Sequence, residues 1–492
     1  MNLQQRLRDP SLFRTQAYVG GEWISAENGA TFEVFDPATG ALLAQLPNLG
    51  SRETASAIRA AEAAWGGWRA LPARDRAALL ERWRQLMMDN LDDLATIMTM
   101  EQGKPLVEAK GEVVYAAGFV KWFAEEAQRI YGDTIPAPTA DRRIIVLKEP
   151  VGVSAAITPW NFPAAMITRK CAPALAAGCP VVVKPSDLTP LSALALAKLA
   201  ADAGIPTGIF NVLTGMPEGI GKEMTGNDSV RKLSFTGSTR VGKLLMEQCA
   251  SSIKRVSFEL GGNAPFIVFD DADLELAVAG VMTSKFRNAG QTCVCANRIF
   301  VQEGIFDAFT DRLAAATAKL VVGNGLEPNV TLGPLINQSA VEKVWRHVED
   351  AEAKGAVRVF GKDAVKNKLF VSPVILKNAN LDMAIANEET FGPVAPLFRF
   401  KSDAEAIKLA NSTPFGLASY FYTRDLRRSW HVAERLEFGM VGLNTGSVSM
   451  EVAPFGGVKQ SGLGREGSKY GIEEYIESKA FHIGGLDAAA DA

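Results

Sequence analysis

Histidine is scarce: there are three in 492 residues, His347, His431 and His482, each alone and none near a cysteine in sequence. Zinc sites draw on clustered Cys, His and carboxylates, and Cys293-Val294-Cys295 has no matching second pair, so no metal centre is expected. A Cys–His hydrolase needs only spatial neighbours and stays open on this count. If none of the three histidines serves, a carboxylate must act as the base. Cysteine is sparse as well. Five, an odd number scattered over a long chain, make no disulfide framework, and a reducing cytoplasm is the expected compartment. The start, Met1 to Pro10, lacks the apolar core of a signal peptide. The longest apolar stretch, Cys171 to Val183, holds 13 residues between Lys170 and Lys184, short of the ~20 that a membrane helix needs. Net charge is -3 with no long run of one sign, which leaves no footprint for nucleic acid or an anionic membrane. No Gly-x-Gly-x-x-Gly fingerprint follows the strand-like runs between Val151 and Glu259, only the loose relative Gly215 to Gly221, and there is no internal repeat. The Ala/Asp tail at 487–492 is the one low-complexity segment.

What is present is an ordinary globular composition, 47% hydrophobic and 22% charged, in a chain long enough for about three domains. Residues 1 to about 50 carry short β-like runs and turns, and from Ser51 to about Tyr131 the pattern is helical, broken at Leu71-Pro72 and Gly103-Lys104-Pro105. Arg142 to Leu147 reads as a strand standing apart. Between Val151 and Glu259 strand-like runs (153–158, 180–184, 209–213, 232–235, 255–259) alternate with helical patterns. Such alternation implies a parallel, doubly wound sheet with a crevice at the strand C-termini, where a nucleotide would bind. A second α/β section runs from Gly261 to about 448. It opens with a strand, Pro265 to Phe269, and a helix, Asp273 to Asn288, that delivers the chain to Cys293.

The stretch Arg287-Asn-Ala-Gly-Gln-Thr-Cys293-Val-Cys295-Ala-Asn-Arg298 is the candidate reactive segment. Its thiol sits among glycine, amides and a hydroxyl, unlike a core cysteine with aliphatic neighbours. Cys295 reads equally as a bystander, half of a metal site, or a redox partner. Cys171, Cys179 and Cys249 lie in apolar or helical contexts and read as core. Lys184-Pro185-Ser186-Asp187 follows one strand, where a lysine can meet ribose or phosphate oxygens and a carboxylate can accept from ribose hydroxyls. Gly237-Ser238 follows another and opens a helix whose free amides favour an anion. A glycine turn with an N-cap explains the same residues without any ligand.

Seven segments, read together, carry a resemblance. They are Pro159-Trp160-Asn161-Phe162-Pro163, Lys184-Pro185-Ser186, Phe235-Thr236-Gly237-Ser238, Glu259-Leu260-Gly261-Gly262, Gly290-Gln291-Thr292-Cys293, Glu388-Glu389-Thr390-Phe391-Gly392-Pro393 and Pro454-Phe455-Gly456-Gly457. Each is weak alone, but in this order over almost the whole chain they resemble the aldehyde dehydrogenase superfamily. The segments around Trp160 to Lys170, Phe286 to Arg298 and Gly462 to Gly471 are most similar to its succinate-semialdehyde dehydrogenase branch.

The resemblance implies an α/β fold of two doubly wound domains plus a small β oligomerisation domain. Residues 1-132 and 151-261 would form the nucleotide-binding domain, 262-448 the catalytic domain, 133-150 and 476-486 the oligomerisation strands of a homodimer or homotetramer. Residues 449-475 would be a loop and helix returning to the nucleotide-binding domain. By the same resemblance Cys293 is the nucleophile, Glu259 the general base, and Asn161 with the Cys293 N–H the oxyanion hole. Trp160, Lys184, Ser186, Asp187, Gly215, Gly219, Gly237, Ser238, Glu389 and Phe391 would contact the cofactor. Many family members have glutamate where Asp187 stands. That glutamate favours NAD by repelling a 2′-phosphate, and a shorter aspartate leaves NAD preferred with NADP usable. Arg169, Arg287 and Ser449 would grip the remote carboxylate of succinate semialdehyde, a task suited to an arginine fork. Gly446 to Glu451 departs from the branch and leaves room for glutarate semialdehyde. Relatives with the same Cys-x-Cys close a disulfide, so Cys293 and Cys295 are expected to form a reversible redox pair. Two other readings stand beside this one. An acylating enzyme would pass the thioester to coenzyme A, which Glu259 argues against. A non-catalytic binding member of the fold is disfavoured by the intact Cys293, Glu259 and Asn161.

Overall fold

The computed structural model describes residues 2–361 and 369–486, so the Ala/Asp tail lies outside the described residues. The β-branched run Val181–Lys184 is buried on both faces, as a central parallel strand should be. It lies inside an eight-stranded sheet whose order, by residues, is 462–463, 255–259, 230–236, 153–157, 181–184, 210–212, 17–19, 22–24. The five central strands are parallel, and the first of them in sequence, Val153–Ile157, sits in the middle. Strand order therefore reverses between Val153–Ile157 and Val230–Thr236, and a crevice opens where their C-terminal ends diverge. The helix Ala165–Ala177 is buried along its whole length and rich in alanine, so it packs close against the helix Leu106–Glu126.

A seven-stranded sheet, ordered 357–360, 374–377, 394–400, 296–302, 264–268, 418–422, 440–443, forms the second unit and is parallel except at its first strand. Only residues 260–263 separate the last parallel strand of the first sheet from Ala264–Val268 of the second. Each sheet has its own apolar core. The chain crosses between them at Glu259, and later Gly462–Leu463 returns to pair antiparallel with Phe258 and Glu259. The strand expected near Arg142 is Arg143–Pro150, which joins Asp133–Ile135 and Ile476–Ile483 in a separate three-stranded sheet. Ile476–Ile483 is an edge strand, with Phe481 half exposed. No helix among the described residues is long and apolar enough to cross a membrane.

Candidate active site

The helix Leu274–Phe286 is capped by Asp273, whose side chain accepts from the Leu276 N–H at 3.2 Å. It stops two residues before the predicted end. Asn288 (φ 51°), Ala289 (φ 54°) and Gly290 (φ 75°) are all left-handed, a conformation that costs free energy for the two residues with a Cβ. Tertiary partners hold the turn. The Asn288 N–H donates to Glu108 at 2.9 Å, its side-chain amide donates to the Asn161 carbonyl at 3.0 Å, and its oxygen accepts from Gln102 at 3.0 Å. Gln291 spans the next gap, donating to the Pro334 carbonyl and accepting from the Ile336 N–H. The tight turn brings Cys293 back to the crevice. A Cβ on Gly262 would lie 2.5 Å from the Cys293 carbonyl, so only glycine fits there.

Cys293 shares a cavity of about 270 Å³ with Trp160, Asn161, Thr236, Gly237, Ser238, Glu389 and Phe391. This is the strand-order switch point, and the cavity walls are the residues that follow Ile157 and those that follow Phe235. Phe391 is left-handed (φ 57°), and its ring meets Trp160 edge-on at 5.6 Å between centroids. The Glu389 carboxylate accepts from the Gly262 N–H at 3.3 Å, and burial pushes it up to about 7. Lys343, from the helix Gln338–Ala353, also lines the cavity, and no sequence motif had marked it. Buried Thr236 Oγ1 and Asn161 Oδ1 have no hydrogen-bond partner among the described residues, so this wall is built to receive polar atoms of a ligand. A dinucleotide fits these donors and acceptors.

Farther along the strand ends, Lys184 Nζ lies 3.9 Å from Asp187 and donates to the Pro185 carbonyl at 2.9 Å. Burial draws its amine down to about 8, against the pull of Asp187 and Glu218. Ser238 caps the helix Thr239–Ala250. Gly215 and Gly219, however, are not in the cavity with Trp160. A Cβ on Gly215 would meet the Leu49 carbonyl at 2.7 Å, and Gly219 packs 3.7 Å from the Ser51 N–H in this sense. Close approach of the Leu49 backbone accounts for Gly215, whereas a Cβ on Gly219 would make only ordinary contacts.

Asn161 is anchored from several sides. Its Nδ2 donates to the Gln291 carbonyl at 3.1 Å, leaving its second N–H uncommitted, and its backbone carbonyl accepts from Lys104 Nζ at 2.8 Å. Lys104 is ion-paired to Glu112, which also accepts from the Ala164 and Ala165 N–H groups. Sequence reading took Gly103-Lys104-Pro105 only as a helix break.

Glu259 ends its strand under the glycine-dense loop. A Cβ on Gly456 would come within 2.9 Å of Glu259 Oε1, and Glu259 Oε2 is buried with no hydrogen-bond partner among the described residues. Burial, reinforced by the nearby Glu466 carboxylate, holds Glu259 well above the usual carboxylate range, with Arg169, Lys170 and Arg465 opposing. Glu466 itself is paired with Lys170 and lies 2.5 Å from Arg169 Nε.

That pairing changes the expected carboxylate clamp. Arg169 is 2% exposed, stacked 3.9 Å over Phe455 and engaged by Glu466, although its Nη2 has no hydrogen-bond partner among the described residues. Arg287 and Ser449 do come together, in a second cavity of about 280 Å³ that also contains Lys104, Glu108, Tyr115 and Phe162. The Arg287 guanidinium lies 4.9 Å over the Phe162 ring. Consecutive residues thus serve the two cavities, Asn161 lining the nucleophile's and Phe162 the one that holds Arg287.

Cys293 is a free thiol pushed up to about 12 by burial, with Glu389 and Glu259 adding to the shift and Arg169 and Arg287 opposing it. Alkylation by iodoacetamide in the absence of dinucleotide should therefore follow the thiolate fraction, rising roughly tenfold per pH unit from about pH 7 to 9. A rate that levels off below that range, measured by mass spectrometry of the Cys293 peptide, would contradict this environment. Cys295 is free and buried, with its sulfur 3.4 Å from Lys285 Nζ. Cys171, Cys179 and Cys249 are buried, as expected of core thiols. No cluster of three or more metal-ligating side chains occurs among the described residues.

Comparison with known proteins agrees with this geometry. The aldehyde dehydrogenase family model matches residues 23–481. A glutarate-semialdehyde dehydrogenase of Pseudomonas putida is 62% identical over 474 residues, covering 96% of this chain and 98% of that one. The NADP(+) succinate-semialdehyde dehydrogenase of Escherichia coli is 60% identical over 480 residues, 97% and 100% of the two chains. The crystal structure of succinate-semialdehyde dehydrogenase from Burkholderia pseudomallei superimposes with a TM-score of 0.97 at 61% identity, covering 97% of this chain and 100% of that one. With the nucleophile's chamber at the sheet switch point and these matches spanning nearly its full length, the chain belongs to the aldehyde dehydrogenase family, whose members oxidise aldehydes to acids with NAD or NADP.

Proposed function

We propose that this enzyme oxidises succinate semialdehyde to succinate, and accepts the one-carbon-longer glutarate semialdehyde in the same site. The observation that carries the reading is that consecutive residues, Asn161 and Phe162, line two cavities, one holding Cys293 and the other Arg287 and Ser449. A short chain with an aldehyde at one end and a carboxylate at the other matches that division, and an arginine paired with a hydroxyl is suited to a carboxylate.

In this mechanism Cys293 first loses its proton to solvent; the thiolate sulfur then bonds to the aldehyde carbon and the carbonyl electron pair moves onto oxygen. The uncommitted N–H of Asn161 and the Cys293 backbone N–H hold that oxyanion. As the carbonyl reforms, the carbon's hydrogen leaves with its electron pair, and the substrate is oxidised to a thioester on Cys293. The bound dinucleotide supplies the hydride acceptor. Glu259 then takes a proton from water, whose oxygen attacks the thioester carbon; the C–S bond breaks, and acid and thiol are released. Lys184, Ser186 and Asp187 would hold the adenosine end, with Trp160, Ser238, Lys343, Glu389 and Phe391 around the nicotinamide end. The Lys184–Asp187 pair balances charge, so both NAD and NADP are taken as cofactors. The exposed edge strand Ile476–Ile483 supports a homodimer or homotetramer joined through the small sheet, and the five free thiols suit a reducing cytoplasm.

The test is kcat/KM for succinate semialdehyde, glutarate semialdehyde and butanal, each with NAD and with NADP. Both semialdehydes should exceed butanal by at least about tenfold, the scale of a charge-assisted contact. If butanal is the best substrate, the carboxylate reading fails.

A further inference from the structure

The helix Leu106–Glu126 presents Glu108, Glu112 and Tyr115 to the Arg287 cavity at successive spacings of four and three residues, hence from one face. The two carboxylates are committed. Glu112 is paired with Lys104 and accepts from the Ala164 and Ala165 N–H groups at 3.0 and 3.2 Å, and Glu108 accepts from the Asn288 N–H at 2.9 Å. Tyr115 is different. Its ring is fixed edge-on against Phe119, 4.8 Å between centroids, while its buried hydroxyl has no hydrogen-bond partner among the described residues. A buried hydroxyl without a partner is costly and marks a place where a ligand atom completes the bonding. Arg287 is the guanidinium that shares the cavity with it.

We propose that Tyr115 is a specificity-determining residue whose phenolic O–H donates to the remote carboxylate of the substrate, acting with Arg287 and Ser449 of the same cavity. This rests on the carboxylated-aldehyde reading above. The aldehyde oxygen is not the partner, because it belongs beside Asn161 and Cys293 in the other cavity. Burial also raises the phenol above its ordinary range, so it remains a donor wherever the enzyme works. A neutral donor completes the bonding of an anion without adding a charge that would need its own partner when the site is empty. Arg169 is engaged by Glu466 yet keeps an Nη2 without a hydrogen-bond partner among the described residues, so Tyr115 adds a donor rather than replacing one.

The experiment compares Tyr115→Phe, which keeps the ring and its contact with Phe119, with Arg287→Met. Each is assayed with succinate semialdehyde and with butanal, which has the same carbon count and no carboxylate. For Tyr115→Phe, kcat/KM for the semialdehyde should fall about ten- to hundredfold, mainly through KM, as expected for a lost hydrogen bond to a charged group. Turnover of butanal should be unchanged. Arg287→Met should lower the same ratio. If it does while Tyr115→Phe leaves the ratio intact, the Tyr115 proposal is wrong and the substrate reading stands. Equal losses on both substrates would also overturn it, since they would reflect a structural role. If neither variant changes the ratio, the carboxylated-aldehyde reading fails and the proposal falls with it.

Discussion

Glu259→Gln should still release about one reduced cofactor per active site in a burst, yet turn over ~10²- to 10⁴-fold more slowly, the usual contribution of a positioned general base. The substitution keeps the shape that packs under Gly456 and removes only the group able to take a proton. Thioester formation requires Cys293 and the oxyanion donors, so its amplitude should survive; hydrolysis needs the carboxylate. The wild-type kcat should fall as pH drops through the raised range of Glu259, and the glutamine variant should lose that acidic limb. Stability gives a second reading. A carboxyl raised on folding contributes stability that is fully present below its unfolded pKa and is lost as pH rises through the folded value. The variant should therefore gain on wild type in Tm as pH increases from about 4.5 towards neutrality. Loss of the burst amplitude, or a Tm difference of opposite sign, would remove Glu259 from this role.

The parts of the molecule that could be read from sequence are those set by local pattern. Alternating strand-like and helical runs announced the first parallel sheet and the α/β character of the second section, and the polar setting of Cys293 distinguished it from Cys171 and Cys179. What escaped depends on contacts far along the chain. Helical periodicity runs on through Asn288, but that residue turns left-handed because Glu108, Gln102 and Asn161, 127 to 186 residues away, hold its polar groups. The pairing of Arg169 with Glu466 was not legible because the two lie close only in three dimensions. Gly215 read only as part of a loose glycine motif, and the close approach of the Leu49 backbone to it is visible only in the fold. Lys104, Lys343 and Tyr115 lie in ordinary helical or turn sequence, and only the fold turns them towards the cavities.

Asn161→Ala should slow the burst itself, with kcat lowered by about 10²- to 10³-fold, the loss typical when one oxyanion donor is removed. The two variants are therefore separable by rapid mixing, one impaired after hydride loss and the other before it. The size of the effect depends on how firmly the amide is aimed. Asn161 Nδ2 is tied to the Gln291 carbonyl at 3.1 Å, and its backbone carbonyl accepts from both Lys104 and Asn288. Gln102 closes the ring, donating to Asn288 and accepting from the Lys104 N–H at 3.0 Å. The same hydrogen-bonded ring thus fixes the oxyanion donor and the left-handed turn that presents Cys293, which makes their separation a property of one rigid unit. Preorganised donors need no reorientation when charge develops, and that is the source of their value in a water-poor site. Asn161→Asp would place a carboxylate where the oxyanion forms and should be at least as damaging as alanine. A variant with an unimpaired burst would show that the backbone N–H groups alone hold the oxyanion.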